Sequence, residues 1–141
     1  MSLQNQLSQK SHRYLKKLSK ELNLKYACTA FDLQSLIFLD KELKIPFFKI
    51  ASGEIHSIDM LEYISRSNKP IILSTGMANF KDIEKSLKIL TKFKKQNITL
   101  LHCVSSYPTD IKNMNLKRID HLKKRFKLNV GLSDHSLSNI P

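Results

Sequence analysis

The stretch FFKIASGEI, Phe47 to Ile55, sets a lysine inside an apolar, strand-like run and follows it with serine, glycine and glutamate. A buried ammonium costs free energy unless an anion meets it, so the run asks for a negative partner. Four further runs are apolar or β-branched: KYACTAF (25–31), PIILSTG (70–76), ITLLHCVS (98–105) and LNVGLSD (128–134). Helical spacing fills the gaps between them. Leu33 to Leu43 follows Asp32, a favourable N-cap. Ile58 to Ser67 carries Leu61, Tyr63 and Ile64. Ile83, Leu87 and Leu90 recur at i, i+4 and i+7, and Leu116, Ile119, Leu122 and Phe126 repeat the pattern. Leu15, Leu18 and Leu22 mark one more helix ahead of the first run.

This order, a helix and then alternating strands and helices, predicts a parallel sheet with covering helices. One strand per roughly 22–30 residues is the spacing of a (β/α)8 barrel. A doubly wound open sheet is the competing architecture. Its phosphate loops are missing, because the sequence has no GxGxxG, no GxxxxGK[ST] and only three glycines.

The 141 residues suit one domain, and 41% hydrophobic content provides a core. Net charge is +12, which invites a nucleic-acid reading. The lysines, however, are spread through helix-like stretches such as LKKLSK and KFKK and read as solvated faces, so no nucleic-acid partner is expected. Cys28 and Cys103 each lie in an apolar run and form no CxxC pair, which reads as reduced thiols in a cytoplasmic protein. No signal peptide and no membrane span is expected.

In both architectures function gathers at the carboxyl ends of the strands. Here every such end is polar: Thr29; Ser52, Gly53 and Glu54; Ser74, Thr75 and Gly76; Ser105, Ser106 and Tyr107; Ser133, Asp134 and His135. Alternation along a strand puts Lys49 on one face with Phe47 and Ala51. It puts Ser105 and Tyr107 with Leu101, and Ser133 and His135 with Gly131. If these faces line a barrel, a lysine, hydroxyls and a histidine converge at its mouth and suit an anionic, phosphate-bearing ligand. Plainer readings stand beside this one. Lys49 snorkels at a strand edge, Glu54 caps the next helix, His135 is a loop histidine, and Tyr107-Pro108 simply turns the chain. His102 has the opposite parity to Ser105 and reads as a structural histidine bonded to backbone. His12, His56 and His121 have no distinguishing context.

KIASGEI, KPIILSTGMA, ITLLHCVSSYPT and VGLSDHS, in that order, resemble the sialic acid synthase family, which includes N-acetylneuraminate, legionaminic and pseudaminic acid synthases. The resemblance runs from about residue 12 to 138 of this sequence. It implies a (β/α)8 TIM barrel that condenses phosphoenolpyruvate with an N-acylated mannosamine-type sugar, aided by Mn2+ or Mg2+. It implies that Lys49, Thr29, Ser52, Ser74, Ser105 and Ser133 hold phosphoenolpyruvate and that His135 is a metal ligand. It also implies that Glu54 and Tyr107 lie near the sugar as catalytic residues.

The resemblance covers barrel strands three to seven. Residues 1–141 are therefore expected to form one incomplete barrel domain with 1–11 poorly ordered. The first two strands, the eighth strand with its metal histidine, and the antifreeze-like C-terminal domain have no counterpart. Closure then calls for a second copy or a complementing chain. Two other readings stay open: an inactive fragment of such a synthase, or a basic, non-catalytic binding module.

Overall fold

The computed structural model describes residues 7–137. Helix α1 (Gln9–Glu21) starts at Ser8, whose hydroxyl accepts from the Ser11 amide. Gln9 to Ser11 of the stretch expected to be poorly ordered are thus helical, and residues 1–6 lie outside the described region. Asp32 caps α2 (Leu33–Ile37) as its side chain suggested, accepting from the Ser35 amide. That amide and the Ser35 hydroxyl hold the Asp32 carboxyl below its ordinary value. The expected 33–43 helix then widens into a π turn, Phe38–Glu42.

Four strands follow: β1 (Phe48–Ile50), β2 (Ile71–Ser74), β3 (Ile98–His102) and β4 (Asn129–Leu132). They form one parallel sheet in the order β1-β2-β3-β4. Helices α3 (Ile58–Ser65), α4 (Phe80–Leu90) and α5 (Lys117–Phe126) make the crossovers. The parallel sheet with covering helices expected from the alternation is present, and with it part of the (β/α) barrel that the resemblance implied, with one correction. Residues 25–31, read as the first strand, form no ladder among the described residues. A strand is defined by its neighbour, and local β-propensity alone cannot supply one.

The register explains the two faces. Phe48, Ile71 and Ile98 share one row, and Ile50, Leu73 and Leu100 share another. All six are 3% exposed or less and pack under the helices with Leu61, Ile64, Ile83, Leu90 and Leu122. The intervening rows face the other way. They hold Lys49, Ile72 and Thr99, then Ser74, Leu101 and Gly131. Most of these are only half-buried, as befits the inward wall of an open barrel. The corners leading into β1 and β4 pass through Lys44 and Lys127, both in left-handed backbone at φ 48° and 54°.

An ionic knot fastens the amino-terminal end of this wall. Asp40 Oδ2 accepts from Tyr63 Oη at 2.7 Å, and Oδ1 accepts from Lys69 Nζ at 2.6 Å. Burial pushes the Asp40 carboxyl up, but the Lys69 and Tyr63 hydrogen bonds and the Lys69 and Lys41 charges outweigh it, leaving it below its usual value. Burial and then Asp40 push Tyr63 up to about 12. Because the folded Asp40 pKa is depressed, its stabilisation is present above the unfolded carboxylate range and is lost as pH falls through the lowered value. Asp40→Asn should cost about 1–3 kcal/mol in urea melts at neutral pH. The deficit should shrink between about pH 5 and pH 2. A deficit independent of pH would assign the effect to packing.

Candidate functional site

The mouth is built from the residues that leave β1, β2 and β3. Lys49 stands on the inward row. Its Nζ donates to Ser74 Oγ at 2.6 Å and to the Ile50 carbonyl at 3.3 Å. Among the described residues it makes no ion pair, whereas Lys69 reaches Asp40. Burial pulls the Lys49 ammonium below its ordinary pKa, and neighbouring Cys103 partly opposes this. A cation with hydroxyl and carbonyl partners and no carboxylate is electrostatically unfinished.

Ser52 and Ser105 meet across the mouth, Oγ to Oγ at 3.3 Å. Between their strands lies Gly76. A Cβ there would sit 2.7 Å from Cys103 Sγ, 2.7 Å from Ser105 Oγ and 2.9 Å from the Cys103 carbonyl. The close approach of β2 and β3 at this level therefore requires glycine. Thr75 ties the same two strands, its amide and hydroxyl both donating to the Leu101 carbonyl at 3.0 Å.

A second cluster forms past β3 and β4. His135 Nδ1 lies 2.7 Å from the Val104 carbonyl, and Nε2 lies 3.3 Å from Ser133 Oγ. The Tyr107 ring stacks on the imidazole with centroids 4.2 Å apart. The Tyr107-Pro108 peptide is cis. The contact with Val104 puts the proton on Nδ1 and leaves Nε2 bare, the form that ligates a divalent cation. His135 fits one position of a metal site. Among the described residues no group of three His, Cys, Asp or Glu side chains could complete it.

Thr29 and Glu54 line an open groove of about 830 Å³ together with His12, Cys28 and Phe38. Glu54 accepts from the hydroxyl of Ser57, the residue that precedes α3, in a bond between side chains that caps no α3 amide. The structure thus brings together Lys49 with Ser74, Ser52 with Ser105, and Ser133 with His135 and Tyr107. Thr29 and Glu54 share the groove.

His102 is 3% exposed and bonds the Met114 carbonyl through Nε2 at 2.6 Å, as a structural histidine should. Sequence reasoning missed the roles of Gly76 and Cys103, which line the mouth beside Lys49. It also missed His12, whose Nδ1 meets Tyr26 Oη at 2.6 Å. Glycine scarcity was the one available signal for Gly76, since a chain with three glycines uses them where bulk is forbidden. No described helix is long and apolar enough to cross a membrane.

Several known proteins are similar to this chain. N,N'-diacetyllegionaminic acid synthase of Campylobacter jejuni is 47% identical over 93% of this chain, which spans 40% of that enzyme. Pseudaminic acid synthase of Helicobacter pylori is 36% identical over 92% of the chain, covering 38% of the relative. The crystal structure of N-acetylneuraminic acid synthetase from Leptospira borgpetersenii, in complex with citrate, superposes with a TM-score of 0.86 at 39% identity. It matches 93% of this chain and 45% of its own. A truncated 3-deoxy-D-arabino-heptulosonate 7-phosphate synthase from Thermotoga maritima superposes at TM-score 0.75 but is 16% identical, a likeness of fold alone. The chain therefore spans about two fifths of the curated relatives it matches. The family profile described as NeuB family matches residues 1–140, and with these relatives beside it the chain belongs to the NeuB family.

Proposed function

We propose that the protein carrying this chain condenses phosphoenolpyruvate with an N-acylated mannosamine-type sugar, giving a nine-carbon 2-keto acid and inorganic phosphate. The observation that carries this reading is Lys49, a half-buried ammonium on the inward wall with no anionic partner among the described residues. The relatives' activities agree with it, being syntheses of legionaminic and pseudaminic acids.

In this reading Lys49 pairs with the phosphate or carboxylate of phosphoenolpyruvate. Ser52, Ser74, Ser105 and Ser133 donate to the remaining oxygens, since hydroxyls add donors without bulk. Thr29 closes the same ligand from the groove side. Glu54 and Tyr107 orient the sugar. Carbon 3 of phosphoenolpyruvate bonds to the sugar aldehyde carbon. Water adds at carbon 2, and the C2–O bond to phosphate breaks. His135 would hold Mn2+ or Mg2+, which when bound supplies Lewis-acid polarisation of the aldehyde. Further ligands would come from outside the described residues.

The direct test is thermal unfolding of the chain with phosphoenolpyruvate, with pyruvate and with inorganic phosphate. Saturable stabilisation by phosphoenolpyruvate is expected, about 2.7 kcal/mol at a hundredfold excess over Kd. Phosphate release in the presence of N-acetylmannosamine and Mn2+ separates turnover from binding alone. Absence of both responses, with salt-sensitive retention on duplex DNA, would overturn this reading in favour of a basic binding module.

A further inference from the structure

The role of His135 as a ligand rests on the proposed function, but the contacts that hold its ring do not. We propose that the loop 104–109 is a positioning cradle that fixes His135 in one tautomer, with Nε2 as the bare nitrogen beside Ser133.

The loop grips one residue in three places. At the edge of the ring, the Val104 carbonyl lies 2.7 Å from Nδ1. A carbonyl only accepts, so Nδ1 carries the proton and the neutral ring leaves Nε2 as an acceptor. Ser133 Oγ, 3.3 Å away, is then the donor to Nε2. On the ring's face lies Tyr107, centroids 4.2 Å apart and planes 28° apart. Tyr107 is 74% exposed, so its ring adds little to the core, and its main contact is the imidazole.

Behind the ring, the Thr109 amide donates to the His135 carbonyl at 2.8 Å. The Thr109 hydroxyl donates to the Ser106 carbonyl at 2.7 Å, and the side chain is buried at 4% exposure. An isolated parallel bridge pairs Thr109 with Ser136. Edge, face and backbone of His135 are thus all set by a loop that follows a different strand. Tyr107 acts here through His135 and is a positioning residue.

Long-range 1H–15N spectra of the metal-free, 15N-labelled chain test the cradle at about pH 8, where free imidazole is neutral. The His135 pattern should be that of a ring protonated at Nδ1. Ser133→Ala should keep it, because Val104 and not Ser133 sets the tautomer. Tyr107→Phe should also keep it, whereas Tyr107→Ala should give a mixture with unchanged far-UV circular dichroism. On adding MnCl2, the concentration that half-broadens the His135 ring lines should rise about tenfold in Tyr107→Ala and return in Tyr107→Phe, the low end for outer-shell partners.

A wild-type ring protonated at Nε2, a tautomer lost in Ser133→Ala, or a Tyr107→Ala spectrum identical to wild type would each overturn the cradle. An intact Nδ1–H pattern that responds to Tyr107→Ala but shows no broadening by Mn2+ would support the cradle and remove His135 from the metal role.

Discussion

In Lys49→Ala, phosphoenolpyruvate should raise the unfolding temperature of the chain far less than in the wild type. The ammonium stands on the inward wall and touches the Ser74 hydroxyl at the strand ends. Hydrogen bonds to charged groups are worth about 1.5–3 kcal/mol, so its loss should weaken binding by about one to two orders of magnitude. Without ligand, two effects oppose each other. The variant removes an ammonium that burial disfavours, but it also takes the donor from Ser74, which is 4% exposed. The ligand-free melting temperature should therefore move little, which makes the reduced ligand response easy to read.

The pH dependence has a definite sign. Lys49 titrates below its ordinary 10.5 in the folded chain. Its ammonium therefore costs stability below that lowered value, and the cost fades as pH rises from there toward the unfolded value. Binding of an anion that needs the ammonium should weaken over the same rise. A Lys49→Ala chain that keeps the full response to phosphoenolpyruvate would remove this lysine from the site.

Gly76→Ala should damage the same mouth without touching any charge. The new methyl would come within 2.9 Å of the Cys103 carbonyl, besides Cys103 Sγ and Ser105 Oγ at 2.7 Å each. The two side chains can turn aside, but the carbonyl belongs to the backbone just past β3 and can yield only by shifting the strand end. Overpacking of this kind costs about 1–3 kcal/mol, a fall of about 4–10 °C in Tm for a domain of this size. The shift would also part Ser105 from Ser52, now 3.3 Å apart, so the phosphoenolpyruvate response should fall with the melting temperature. A variant that binds and melts like the wild type would show that the approach of β2 to β3 relaxes freely.

The periodic parts of the fold were legible in the sequence because they repeat locally. Leu61 and Ile64 of α3, Ile83 and Leu90 of α4 and Leu122 of α5, all picked out by helical spacing, are buried in the core. The inward parity assigned to Lys49, Leu101 and Gly131 agrees with the register. Parity stopped helping where the ladders end. Past His102 and Leu132 the chain leaves the sheet, and counting by twos could not place Tyr107 against His135. Contacts between distant segments were likewise hidden. The Asp40 knot joins a π turn, a helix and the residue before Pro70. Nothing local to residues 25–31 announced that the run would lack a ladder partner, because pairing is a property of two segments. Past Ala51 the chain enters the 3-10 turn Ser52–His56, and sequence spacing alone did not show that Glu54 would meet Ser57 and line the groove.

The two left-handed corners at Lys44 and Lys127 bear on how this protein can change over time. An L-residue in that conformation stores about 1–2 kcal/mol that glycine would not. Both corners precede strands, at the end of the sheet away from Lys49 and His135. Exchange to glycine there would adjust the robustness of the scaffold and leave Lys49 and His135 alone. It would thus offset part of the stability that substitutions at the mouth cost.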